Sequence, residues 1–150
     1  MHGELTPEQI ENVLRSELTG RLGCHAEGRT YVVPISYAYD GVHVYGHSSD
    51  GLKIRMMRAN AAVCFEVEQI DDLANWRSVI AWGVYEELAG PDEHRARRRL
   101  KDRFGPYVTS ETAQPSGPRT AEETFDPASR RAIFYRIRLT EKTGRYEKRS

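Results

Sequence analysis

The stretch from Leu22 to Tyr45 constrains the fold more than any other part of the sequence. It reads as three strands joined by two tight turns. Leu22 to Ala26 is short and apolar, and Glu27-Gly28 reads as a turn. Thr30 to Tyr39 is rich in Val, Ile, Thr and Tyr, which suit a pleated, half-buried surface. Asp40-Gly41 is a strong hairpin signal, expected as the turn whose two central residues both take positive φ. Val42 to Tyr45 is the return strand. Connections this short join antiparallel neighbours, because a parallel crossover needs a dozen residues or more. A doubly wound sheet of alternating strands and helices is therefore ruled out. Pro34 interrupts the middle strand. It cannot donate to a ladder, so it marks an edge or a bulge.

The flanking segments fill in the rest. Thr6, Pro7 and Gln9 form a Thr-x-x-Gln capping box with proline at the first helical position. Ile10, Val13, Leu14 and Leu18 then share one helical face, and Gly20 reads as the stop. A second helix is expected from about Leu52 to Ala59. Ala62 to Glu68 alternates as a strand, Asp71 to Asn75 is a polar connection, and Trp76 to Leu88 is a long strand bent at Gly83. Pro91 opens a third helix ending near Phe104 and Gly105. Gly105 to Ser129, with four prolines, reads as a long loop with one short helical turn around 121–123. Such a loop serves as a lid, a partner contact or a disordered segment. Ala132 to Leu139 is the last strand, and 141–150 is expected to fray. The sum is one domain over 1–150, mainly β with an α+β character. It has six antiparallel strands and a few flanking helices, and closure into a small barrel removes the exposed edges.

Composition removes several functions. Acidic and basic residues balance at 22 each, so no long-range field holds nucleic acid or an anionic membrane. Arg95, Arg97, Arg98, Arg99, Lys101 and Arg103 are interleaved with acids, and a solvated helix face explains the run. No apolar stretch reaches membrane-span length, and the first residues do not read as a signal peptide. A soluble, cytoplasmic protein is expected. Cys24 and Cys64 form no CxxC pair and no zinc-spaced cluster, so no metal site is expected and both read as buried free thiols.

Two segments can carry chemistry. Tyr45-Gly46-His47-Ser48-Ser49-Asp50-Gly51-Leu52-Lys53 leaves a strand and enters a helix. A helix start offers free N–H groups to an anion, and Lys53 can close on a phosphate. Asp50 opposes that reading and can cap the helix instead; a capped surface helix with solvated basic residues is the competing interpretation. His47 is expected to titrate near neutrality and so to exchange protons, or else to serve as a hydrogen-bonding residue. In the second segment, Trp76 to Leu88, Arg77 and Ser78 can supply donors to one phosphate. Trp76 and Trp82 offer aromatic surface, or simply pack in the core.

Taken together, these segments resemble the pyridoxamine 5′-phosphate oxidase-like FMN-binding split-barrel superfamily, in the branch of the nitroimidazole-resistance proteins. The matching pieces run in order. They are Leu22-Gly23-Cys24, Tyr31 to Tyr37, Val44 to Ser48 with Gly51-Leu52-Lys53, Asn60 to Val67, Arg77 through Gly83, Phe134 to Ile137, and Thr143-Gly144-Arg145. The resemblance implies a split β-barrel that binds FMN as a homodimer. It implies that Val33, Pro34, Ile35 and Ser36 back the flavin ring. It further implies that His47, Ser48 and Lys53 reach flavin and phosphate, and that Arg77, Ser78 and Val79 contribute beside them. His47 is the catalytic candidate. A flavin-dependent oxidoreductase acting on a small aromatic or nitroaromatic substrate follows. Other readings in the same fold are a deazaflavin F420 reductase using Arg55 and Arg58, or a flavin or haem carrier or redox sensor with His47 or His43 as axial ligand. The basic C-terminal residues of true pyridoxamine-phosphate oxidases are absent, which speaks against pyridoxamine oxidation.

Overall fold

The computed structural model describes residues 1–108 and 132–149. Within them the chain forms eight strands and three helices. In chain order these are β1 (His2–Glu4), α1 (Pro7–Ser16), β2 (Thr19–Ala26), β3 (Arg29–Ser36), β4 (Ala38–Tyr39), β5 (His43–Ser48), α2 (Leu52–Ala59), β6 (Ala62–Asp72), β7 (Asn75–Glu87), α3 (Gly90–Val108) and β8 (Ile133–Glu147). The six expected strands are all present. Two short ones are added: β1, too brief to carry a pattern, and β4, cut from the end of the expected Thr30–Tyr39 strand.

All pairings are antiparallel. The sheet runs β3-β2-β6-β7-β8-β5-β4, with β1 on β8 off this path. Its two ends, β3 and β4, are consecutive pieces of chain separated only by Tyr37. The sheet has therefore curled round to meet itself, which is a split barrel. Tyr37 is the seam. Its N–H donates to Leu18 O at 3.1 Å and its hydroxyl donates to Leu14 O at 2.7 Å. Its ring meets Phe65 edge-on at 4.9 Å. Phe65, Tyr135, Leu22 and Ile137 fill the barrel, each fully buried and each contributing about 1.5–3 kcal/mol.

Local chemistry accounts for the elements. The capping box forms: Thr6 Oγ1 accepts from the Gln9 N–H at 3.2 Å, and Gln9 Oε1 accepts from the Thr6 N–H at 2.9 Å. Helix α1 ends at Ser16, so Gly20 is no stop; it lies inside β2. Glu27 and Gly28 both have positive φ, 54° and 75°, the geometry that matches strand twist in a two-residue turn. At Asp40-Gly41 only Gly41 has positive φ. There the Asp40 carboxylate accepts from the N–H groups of Val42 and His43 at 2.8 and 2.6 Å, making a side-chain-closed turn in place of the expected one. β7 and β8 shift register at Trp82/Gly83, where β8 carries the extra residue Thr140.

The tail expected to fray is instead the second half of β8. It pairs with β7 as far as Glu147 and with β1 over Arg145–Glu147. Tertiary pairing overrides its charged composition. Helix α3 extends past the expected stop at Gly105 and includes Pro106 in its last turn. It packs Ala96 and Leu100 on Ala38, Tyr45, Leu88 and Phe134. The Arg103 guanidinium donates to the carbonyls of Arg15, Ser16 and Glu17, tying α3 to the end of α1. The rest of the expected loop, 109–129, with its turn at 121–123, lies outside the described residues. No described helix is long and apolar enough to cross a membrane.

Candidate functional site

The first group of candidate residues sits at the barrel mouth, where β5 hands over to α2. The α2 N-cap is Gly51, which has no side chain to accept from the first turn, and no acid lies in that turn. Asp50 does not cap the helix. It faces Arg58 at 3.4 Å, and Arg58 also pairs with Glu87 at 2.8 Å. The helix start therefore keeps its N–H groups and its positive dipole end for another partner. Lys53 lies in that turn, half-buried. Burial pulls its ammonium below the usual lysine range, and it makes no ion pair or hydrogen bond with a described residue.

His47 projects toward α3 and stacks on Phe134 at 5.6 Å with an interplanar angle of 21°. Arg97 lies over the same ring at 4.5 Å. Burial, reinforced by the charges of Lys53 and Arg97, brings the His47 pKa down to about 4. The imidazole is neutral at physiological pH, unlike the near-neutral titration expected from the sequence. Inside the mouth, Gly46 faces Tyr135. A Cβ at position 46 would stand 2.5 Å from the Tyr135 hydroxyl, so only glycine lets the strand pass. That hydroxyl is buried without a hydrogen-bond partner among the described residues. Ser48 turns back, donating to Ser49 O at 2.8 Å. His43 is held by Asp40 at 3.1 Å.

The second group lies on the outer face of the sheet. Alternation along the strands fixes which side chains meet there. Val33 packs against the core, and Ile35 and Val79 are buried within it, so a ligand on the outer face meets only their backbone. Pro34 and Ser36 point outward. In register, Pro34 aligns with Arg21, Arg21 with Glu66, and Glu66 with Ile80. The next row is Val32, Gly23, Cys64 and Trp82. Val32, Ile80 and Trp82 are 62%, 38% and 39% exposed, an apolar stripe open to solvent. Cys64 lies half-buried in that stripe, not in the core, while Cys24 points into the barrel.

Ser78 also faces outward, and its hydroxyl donates to Glu66 Oε2 at 3.1 Å. Glu66 shares a hydrogen bond with Glu68, whose carboxylate pairs with Arg21 at 3.2 Å. Partial burial and the neighbouring Glu68 push the Glu66 carboxyl up to about 7. Arg77 faces the other way, into a hollow of about 760 Å³ at the barrel's end beside Leu5, Gln9 and Tyr146. Adjacent strand residues take opposite sides, so Arg77 and Ser78 do not converge on one phosphate.

His47 and Ser78 are far apart in one chain. His47 pairs with Phe134, and the next residue, Tyr135, pairs with Glu87. Ser78 lies on the same strand as Glu87, about 30 Å away at ~3.3 Å per residue. Sequence reasoning missed Glu66, Glu68 and Arg21. Their signal was present: carboxylates two apart in a strand share a face.

Comparison with known proteins agrees with this architecture. Residues 6–146 match the pyridoxamine 5′-phosphate oxidase family. The chain belongs to that family. A protein of uncharacterised function from Rhizobium meliloti is 28% identical over 145 residues, covering 94% of this chain and 92% of its own. A FAD-binding protein from Mesorhizobium loti is 29% identical, covers 97% of this chain and 98% of its own, and superposes with a TM-score of 0.75. A protein from Bacteroides thetaiotaomicron described as a candidate 5-nitroimidazole antibiotic resistance protein shares the fold at 21% identity and a TM-score of 0.71, covering 97% of this chain and 87% of its own.

Proposed function

We propose that this family member is a homodimeric flavoprotein that binds FMN and reduces a small aromatic or nitroaromatic substrate. The observation that carries the reading is the start of α2: an N-terminus with no side-chain cap, and beside it a half-buried Lys53 with no anionic partner among the described residues. Such an arrangement suits a phosphate. The similarity to the FAD-binding Mesorhizobium protein supports a flavin. Lys53, Ser48 and the α2 N–H groups would hold the phosphate. Pro34, Ser36 and Ser78, with the backbone of Val33, Ile35 and Val79, would back the ring. His47 would serve as a neutral hydrogen-bonding group. A bound flavin would supply the redox chemistry, while the protein orients it and tunes its surroundings.

The separation of His47 from Ser78 supports a homodimer: a flavin spans far less than ~30 Å of sheet, so the mouth of one protomer and the outer face of another would supply its two sides. The exposed stripe of Val32, Ile80 and Trp82 suits that contact.

The absorption spectrum of the purified protein, with mass analysis of whatever heat releases, tests the flavin. Released FMN supports the reading in full. FAD keeps the flavin and changes its form. A colourless protein that fails to bind added FMN ends the proposal. Light scattering of Trp82→Glu tests the assembly: a monomer lacking flavin is expected, whereas an unchanged dimer places the interface elsewhere.

A further inference from the structure

The hollow at the barrel's end holds a cation that the flavin reading leaves unused. Arg77 opens into it, half-buried, and its guanidinium makes no ion pair or hydrogen bond with a described residue. Strand register explains the open space around it. Gln69, Arg77 and Tyr146 stand in one row across β6, β7 and β8, so their side chains share a face. The row continues to Gly3 on β1. Both neighbours of Arg77 are drawn away from it. The Gln69 amide reaches the end of α1, donating to Ser16 Oγ at 2.6 Å and to Glu17 Oε2 at 3.2 Å. The Tyr146 ring lies over Gly3, where an added Cβ would stand 2.6 Å from it. Gln9, from α1, lines the same hollow. Its Oε1 is committed to the Thr6 N–H of the capping box, so its amide N–H groups point elsewhere and have no partner among the described residues.

We propose that this hollow is a binding site for a small aromatic carboxylate. The guanidinium is a planar fork that matches a carboxylate with two parallel hydrogen bonds, and the Gln9 amide adds a neutral donor. A half-buried cation without a partner carries a desolvation cost that a bound anion offsets. Leu5, Trp76 and Tyr146 give the hollow apolar and aromatic walls, which suit a planar apolar body. The rim limits the charge of the ligand. Lys148 and Arg149 stand there with Asp71 and Glu147. Glu147 faces His2 at 3.3 Å. Asp71 is the extra residue of a bulge in β6, between Ile70 and Asp72. Neither acid pairs with Arg77, but both oppose a second negative charge, so a carboxylate is favoured over a phosphate dianion. The site stands apart from the flavin reading, because Arg77 and Ser78 are adjacent on β7 and face opposite sides of the sheet.

The test is calorimetric titration of the purified protein with benzoate at pH 7, with benzamide as the uncharged control. One benzoate per chain is expected, and benzamide should bind about tenfold more weakly or worse. Arg77→Gln should weaken benzoate by about tenfold or more, the size of a charge-assisted contact. Arg77→Lys should fall between, since it keeps the charge and loses the fork. Excess FMN should leave benzoate binding unchanged. Trp82→Phe makes Trp76 the sole tryptophan, and its fluorescence should change saturably over the same benzoate range, with Arg77 undisturbed. A wild type that takes up no benzoate would overturn the inference, as would an Arg77→Gln protein that binds it unchanged or a Trp76 signal that does not respond. Displacement of benzoate by FMN would also overturn it, by placing the anion at the flavin's phosphate site.

Discussion

The barrel mouth and the outer face hold opposite electrostatic imbalances. At the mouth, Lys53 and Arg97 flank a buried neutral His47 with no acid among the causes of its shift. On the outer face, Glu66 and Glu68 share one guanidinium, Arg21. One region disfavours a cationic imidazole; the other holds a carboxyl back from ionising. The two should therefore respond to pH in opposite directions, and each response has its own residue to remove.

The largest effect is expected at the mouth. The folded pKa of His47 lies below its ordinary value. Its contribution is complete above about pH 6.5 and is lost as pH falls toward about 4, a swing of about 3 kcal/mol. Urea melts between pH 7 and 4 should show this acid limb in wild type and a much shallower one in His47→Gln. Equal limbs would mean that the imidazole is solvated. Next comes Lys53→Ala. It should weaken FMN binding about 30-fold, the size of a charge-assisted contact, with little change in melting because the amine has no partner to lose. Ser78→Ala should cost far less affinity, about fivefold. The reverse order would make the outer face the anchor. The smallest effect is on the alkaline side. The folded pKa of Glu66 is raised, so its contribution is complete below about pH 4.5 and is lost as pH rises through about 7. Its partial exposure limits this to about 1 kcal/mol. Glu66→Gln should flatten the stability of the protein between pH 5 and 8, measured by the same melts.

Much of the fold was legible because local chemistry and tertiary packing agree. The Thr6 box, the Glu27-Gly28 turn and the span of α2 are set by neighbouring residues, and they form as expected. β1 and the second half of β8 were hidden because neither alternates in hydrophobicity; each exists through its partner. The site was less legible than the fold. Sequence order places Arg77 and Ser78 side by side, whereas the strand sends them to opposite faces. It also places His47 and Ser78 in one motif series, whereas register sets them at opposite ends of the sheet. The pKa of His47 depends on burial and on the charges of Lys53 and Arg97; Phe134, which covers the ring, is brought to it by the β5–β8 register, and Arg97 by α3, and neither is near it in sequence.

Pro34 lies on β3, the outermost strand of the sheet, which pairs only with β2. An unprotected edge is a template on which further chains can add, strand by strand, toward fibres. Proline removes one amide from that template in the middle of the strand. An edge interrupted in this way hinders a second copy from adding to the sheet strand by strand.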